Sequence, residues 1–298
     1  NPENIASQLR IGSNIQMAVT SAGICFRRRL NQSKTYLALA VMAIFSFYIY
    51  SPVCQLASYY QMSCPPWLFP FFMSFPIMLM VHGGLCLLLF SDGGENDGYS
   101  YLMLARCGRK ATMMGRLLEV LLTSFLYALI LLVFSVVFIL PVLGWDSDWG
   151  TLLRTLAESS GIMAEQTGVS LSFVVSPECI ALFTPFQAVG ISFLCLWLST
   201  AFIGVLITFC RVYWEKSVGI IAAGFFVGIA LFALYLGLIT IGYWLQFVSP
   251  LSWSNFMNLD WYHSGATPSP VYAFSAWGIS ILGMSVAAVV GFDKRDIQ

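Results

Sequence analysis

The chain has 298 residues, of which 58% are hydrophobic and only 9% charged, and its formal net charge is zero. A soluble domain carries about 25% charged residues, so a soluble fold of this length could not cover its surface. A bilayer removes that demand because the outer face meets hydrocarbon, and the neutral balance gives no sign of a nucleic-acid partner.

The N-terminal stretch 5–30 is mildly amphipathic. Ile11, Ile15, Met17, Val19 and Ile24 alternate with polar residues, and Arg27, Arg28 and Arg29 close it. This pattern predicts a helix lying in the inner interface, within a cytoplasmic segment 1–34. A crossing needs ~20 apolar residues for ~30 Å of hydrocarbon. The runs that qualify are 35–50 (continuing to 56), 67–90, 117–140, 185–210, 217–245 and 271–291. No A-x-A-like site follows the first of them, so it reads as a span rather than a cleaved signal. Pro70 and Pro76 are expected to kink the second span, since each removes a backbone hydrogen bond. The runs are too long for barrel strands and do not alternate. The expected fold is all-α: one polytopic transmembrane domain over 1–298, with six transmembrane helices, an N-terminal interfacial helix and a cytoplasmic coupling helix.

Orientation follows from Lys and Arg. With the N-terminus in the cytoplasm, thirteen of the 14 basic residues fall on that side, and Arg154 alone falls on the other. The C-terminus is then cytoplasmic as well. The opposite face carries Asp146, Asp148, Glu158, Glu165, Glu178 and Asp260. It also carries Trp67, Trp145, Trp149, Trp244, Trp253 and Trp261, which suits an aromatic belt at headgroup level. The main external loops are 142–184 and 246–270, and 151–163 has the character of a short surface helix. Cys54 and Cys64 share one external connection and Cys179 lies in another. An oxidising exterior permits a bond between two of them, but their separation is not readable from sequence.

Motifs for chemistry are missing. There is no G-x-x-x-x-G-K-[ST] loop, no H-E-x-x-H and no G-x-S-x-G. The eight cysteines lack C-x-x-C spacing and the only histidines are His82 and His263, so no metal cluster can be composed. The chain is therefore expected to be no enzyme and to hold no cofactor itself. His82, beside Gly83 and Gly84, suits an interhelical hydrogen bond over small residues or a polar contact in a cavity. Phe71, Phe75, Met78 and Met80 line an apolar pathway or else pack against lipid and core. Phe225 lies within Gly224–Gly228, a G-x-x-x-G that allows close helix approach, and joins His82 on the candidate substrate path. Glu119 is the one acid inside a span. It is expected to pair with Arg116 or to orient the neighbouring cytoplasmic segment.

That segment, 91–116, reads SDGGENDGYSYLMLARCGRKATMMGR. A Gly-Asp-Asn-rich opening leads into a short helical piece over 99–107, broken by Gly108 and followed by Arg109 and Lys110. Two readings stand: a topology-setting basic loop beside anionic lipid, or an amphipathic helix presented to a cytoplasmic partner. The stretch YSYLMLARCGRKATMMGRLLE, with Tyr99, Tyr101, Leu102, Arg106, Gly108, Arg109 and Lys110, resembles the coupling segment of type-2 ATP-binding-cassette (ABC-2) exporter permeases. The C-terminal GFDKRDIQ and the interfacial helix plus six spans are similar to that family too. The resemblance implies a plasma-membrane permease working as a dimer with a second copy or paralogue. Two cytoplasmic ATPase subunits would supply ATP and magnesium, docking on those seven residues. It implies an exporter of an amphipathic, peptide-like or lipid-like substrate. The alternatives are a structural or sensory membrane protein that binds a partner through its external loop, and an ion-driven secondary transporter.

Overall fold

The structure is a computed structural model. It describes the backbone of residues 2–91, 105–214, 216–235 and 240–294, and their side chains except at 2–14, 216, 234–235, 240–243 and 294. Among the described residues all regular secondary structure is helical, with no strand and one isolated bridge between Cys64 and Leu143; turns and irregular chain make up the connections. The helices are α1 (Pro2–Leu30), α2 (Ser33–Tyr59), α3 (Pro76–Phe90), α4 (Arg109–Val137), α5 (Gly150–Thr167), α6 (Pro177–Leu182), α7 (Pro185–Tyr213), α8 (Lys216–Tyr235), α9 (Thr240–Val248) and α10 (Pro270–Lys294).

Local chemistry accounts for most of these boundaries. Thr184 and Gln187 form a capping box at the start of α7, with Pro185 in its first turn. Gly108, at φ +78°, breaks the chain just before α4, in a conformation that suits glycine. Gly168, at φ +70°, ends α5 as a left-handed cap.

Among the described residues four helices (α2, α4, α7 and α10) are long and apolar enough to cross a membrane. Two apolar helices, α3 and the 217–233 part of α8, are shorter. The reason is visible in the second apolar run, which is not one kinked helix. Pro70 sits in the first turn of a 3₁₀ helix, Phe69–Ser74, and Pro76 opens α3, with Phe75 extended between them. Both prolines start elements, where a missing N–H costs nothing. The fifth run likewise divides into α8 and α9, and 236–239 lie outside the described residues.

The bundle is centred on α7. In its apolar stretch 67% of residues are buried, against 22% for α10. α3, α4, α8 and α10 all pack on it. The described basic side chains other than Arg154 gather at one end, called here the basic end. At the other end, the capped end, the connections fold into an ordered layer. Trp67, Trp149, Trp253 and Trp261 each donate an indole N–H to a backbone carbonyl: those of Asp146 (2.9 Å), Phe183 (2.9 Å), Gln246 (2.7 Å) and Phe256 (2.8 Å). Trp67, Trp149 and Trp253 are thus buried in the cap, and only Trp145 and Trp244 of the expected belt are strongly exposed. The expected helix over 151–163 is α5. It is no free surface helix, because Leu152, Leu153, Leu156 and Met163 are buried beneath it.

Two carboxylates hold turns in this cap. Asp260 accepts the N–H groups of Tyr262, Ser264 and Gly265. The Ser264 amide, foremost, holds its carboxyl below the usual range. Asp148 is lowered chiefly by the Trp149 amide and also by Arg154. A lowered folded pKa means that the contribution is complete above the ordinary carboxylate pKa of about 3.9 and is lost as pH falls through the lower folded value. The cap is therefore expected to keep its tryptophan fluorescence from neutral pH down to about 4 and to loosen below it. Asp260→Asn should weaken the 260–265 turn at neutral pH and shrink the acid step. An acid transition of undiminished size in that variant would refute this account.

Candidate functional site

The basic end is where charged groups enter the bundle, and it begins with α1. Ala18, Ser21, Ala22 and Arg29 of α1 are buried, while Ile15, Met17 and Val19 face outward. The buried set recurs at helical spacing and consists of small residues closed by one arginine. It packs on α4 at Ala111, Gly115 and Glu119, themselves four apart and buried. A Cβ on Gly115 would lie 2.6 Å from Ser21 Oγ and 2.9 Å from the Ala18 carbonyl oxygen. Glycine therefore lets the two helices approach closely. They run parallel, with Ala18 and Ser21 beside Gly115 and Arg29 beside Glu119.

At the end of that seam Arg29 meets Glu119 fork to fork. Nε donates to Oε1, and Nη2 donates to Oε2 at 3.1 Å. Thr123 Oγ1 adds a third bond to Oε1 at 3.0 Å. The expected Arg116 pairing is thus replaced by a residue 90 positions away. Both side chains are nearly buried, at 9% and 5% exposure. Such a pair holds only when its hydrogen bonds are complete, and here they are close to complete.

Arg29 also donates Nη1 to the Leu89 carbonyl, and its guanidinium lies 5.2 Å from the centre of the Phe90 ring. Arg211 of α7 donates to the carbonyls of Phe90 (3.2 Å) and Ser91. Lys34 of α2 donates to Ser91 Oγ at 3.2 Å. The final carbonyls of a helix have no intrahelical donor and carry the negative end of its dipole. Two arginines, from α1 and α7, meet that need at the last turn of α3, and Lys34 of α2 adds a third cation beside it through the Ser91 hydroxyl. Phe90 is held from the other side by Gly204 of α7, where a Cβ would come within 3.0 Å of the ring. We call this arrangement the α3 clamp.

The 91–116 segment leaves the bundle at this clamp. Its Tyr99, Tyr101 and Leu102 lie outside the described residues. Arg106 is exposed, just before the Gly108 break. At the far end of the segment, Arg109 Nη1 donates to the Asp293 carbonyl at 3.2 Å, and Lys110 Nζ sits 3.3 Å from the Asp293 carboxylate. Gly108, Arg109 and Lys110 are thereby brought to the end of α10.

The candidate path residues are not brought onto one surface. Phe71, Met78 and His82 are buried, Phe75 is half-buried, and Met80 and Phe225 face outward. His82 is hydrogen-bonded to Tyr127 (2.9 Å) and Ser199 (3.2 Å), which joins α3, α4 and α7. Both ring nitrogens are thus used within the bundle. No group of three metal-ligating side chains occurs among the described residues.

Arg29 and Arg211 entered the sequence reading only as charges that set orientation. The available signal was the small-residue spacing Ala18-Ser21-Ala22-Cys25-Arg29 opposite Ala111-Gly115-Glu119. Nothing in either stretch names the other as its partner. No family model matches the chain, and no curated protein and no solved structure matches it either.

Proposed function

We propose that this chain is the membrane-spanning permease subunit of an ATP-driven exporter of the ABC-2 type. The polypeptide crosses the plasma membrane six times: α2, the 67–90 run ending in α3, α4, α7, α8 with α9, and α10. Both termini and the basic end face the cytoplasm, and α1 lies at the inner interface. A separate ATPase subunit docks on 91–116 and supplies the ATP and magnesium chemistry. A second permease, identical or paralogous, completes the pathway for an amphipathic, peptide-like or lipid-like substrate.

The observation that carries this reading is how the two ends of the 91–116 segment are fastened. One end leaves from the α3 clamp, held by Arg29, Lys34 and Arg211. The other enters α4 where Arg109 and Lys110 hold the end of α10. A displacement imposed on the segment is therefore delivered to α1, α2, α3, α4, α7 and α10 together. Such a multi-helix junction is a natural two-state element for nucleotide to bias. The state of Glu119 weighs against the ion-driven alternative. Ion-coupled carriers place acids at membrane depth to bind the ion, whereas this acid, alone inside a span, is occupied by Arg29 and Thr123.

Co-expression with neighbouring genes and purification in mild detergent tests the reading. A cytoplasmic ATPase is expected in stoichiometric amount. Arg106→Glu should release it without altering the permease's elution volume. Arg106 is the better probe than Arg109, whose reversal would also set a carboxylate against Asp293. Retention of the ATPase by Arg106→Glu would sink the docking assignment. Absence of any ATPase from the wild-type preparation would favour the structural or ion-driven alternatives.

A further inference from the structure

We propose that Cys54 and Cys64 form a redox-active dithiol, which closes to a disulfide when the capped end of the bundle meets a small disulfide such as glutathione disulfide. The inference is independent of the transport reading and needs only an oxidant of that class. All eight cysteines are free thiols in the structure.

The chain path brings the two residues to one corner. Cys54 lies near the end of α2, and its Sγ donates to the Phe138 carbonyl at 3.3 Å. After α2 the chain reverses at Gln61, which has φ +53°, and Met62 N–H returns to the Ala57 carbonyl at 2.9 Å. Cys64 N–H then bonds the Val142 carbonyl at 2.8 Å, and the Cys64 carbonyl accepts from Gly144 at 2.9 Å. The corner closes on itself through Val142 N–H to the Ile139 carbonyl at 3.0 Å. The Cys54 thiol and the Cys64 main chain thus meet the same 138–144 turn, and the Cys64 Sγ donates to the Pro65 carbonyl at 3.6 Å. Burial, with the nearby Cys54 adding to it, pushes the Cys64 thiol up to about 12. That second cause also places the two groups within electrostatic reach of each other.

Their surroundings assign different roles. Cys54 is half-buried and so the more accessible of the two, while Cys64 is fully enclosed. The Cys54 thiolate attacks one sulfur of the incoming disulfide. A mixed disulfide forms and one thiol leaves, carrying a proton. The Cys64 thiolate then attacks the Cys54 sulfur and expels the second thiol. Both protein thiols are oxidised, the small disulfide is reduced to two thiols, and the atoms balance. Because Cys64 is a thiolate only rarely near neutral pH, this second step should accelerate about tenfold per pH unit.

The test uses the full chain in detergent micelles, exposed to glutathione disulfide at pH 7 and pH 8 and mapped by non-reducing peptide mass spectrometry. In the wild-type chain a peptide pair joined between Cys54 and Cys64 is expected, appearing about tenfold faster at pH 8. Cys64→Ser should accumulate the mixed disulfide on Cys54. Cys54→Ser, a second variant that leaves the buried position untouched, should take up no glutathione on Cys64. The proposal is overturned if the wild-type chain stops at the mixed disulfide, if Cys54 joins Cys179 instead, or if Cys54 does not react.

Discussion

Arg29→Ala should destabilise the protein by about 3–5 kcal/mol, because it leaves the buried Glu119 side chain without its guanidinium partner. The loss does not stop at one pair. The same guanidinium serves the Leu89 carbonyl and lies against the Phe90 ring. Its removal therefore strips a donor from the C-terminal turn of α3 and frees the end of α1 in a single step. Glu119→Gln should cost less, since the amide still accepts from Thr123 and presents a carbonyl to Arg29. The double replacement Arg29→Met with Glu119→Leu should recover much of the loss, as buried ion pairs often yield to apolar residues of similar volume without penalty. Unfolding in detergent, followed with hydrogen exchange of α1, measures all three. If Arg29→Ala and the double variant were equally unstable, the ion pair would not be the source of the effect. On the proposed function the double variant is the informative one. It restores packing but not the donor to α3, so ATPase binding should persist while transport stays impaired.

The second large effect is expected at Gly115. A side chain there meets Ser21 on one side and the Ala18 carbonyl on the other, and only the first can move cheaply. Overpacking typically costs about 1–3 kcal/mol. Gly115→Leu should reach or exceed the upper end, because the obstruction includes backbone. The expected result is separation of α1 from α4, seen as protease cleavage within α1 while α4, α7 and α10 remain protected. Gly115→Ala should be milder, and Ser21→Gly should restore part of its loss by removing the nearest atoms. Lack of any rescue would mean that Ser21 is not what the new methyl group strikes. The two predictions examine one seam at different levels, since Gly115 sets the approach of α1 and Arg29 locks its end.

Much of the molecule was legible beforehand because it depends on sums over neighbouring residues. Hydropathy over some twenty positions revealed apolar helices, and charge sorting gathered the basic residues that the structure places at one end. Gly108 was readable as a break, because glycine next to a helical stretch needs no partner to be one. The stretch 151–163 was readable as helix for the same local reason. Its burial was not, since Leu152 and Leu156 look alike whether they face solvent, lipid or the helices α2 and α6 on which α5 packs. The division of the 67–90 run was also missed. A proline inside an apolar run reads as a kink or as a start, and only the extended Phe75 between two elements decides which.

By itself, then, the sequence determined the class of this protein: a helical chain with helices long and apolar enough to cross a membrane and a basic end, since composition and local pattern suffice for that. Tertiary structure alone decided which groups meet. Arg29 finds Glu119 across 90 residues, Arg211 reaches Phe90 across 121, and His82 is shared between Tyr127 and Ser199. The physical reason is that a helix apolar all round carries no signal of its own rotation. Which face turns inward, and so which rare polar side chain finds a partner, is settled only when the helices pack.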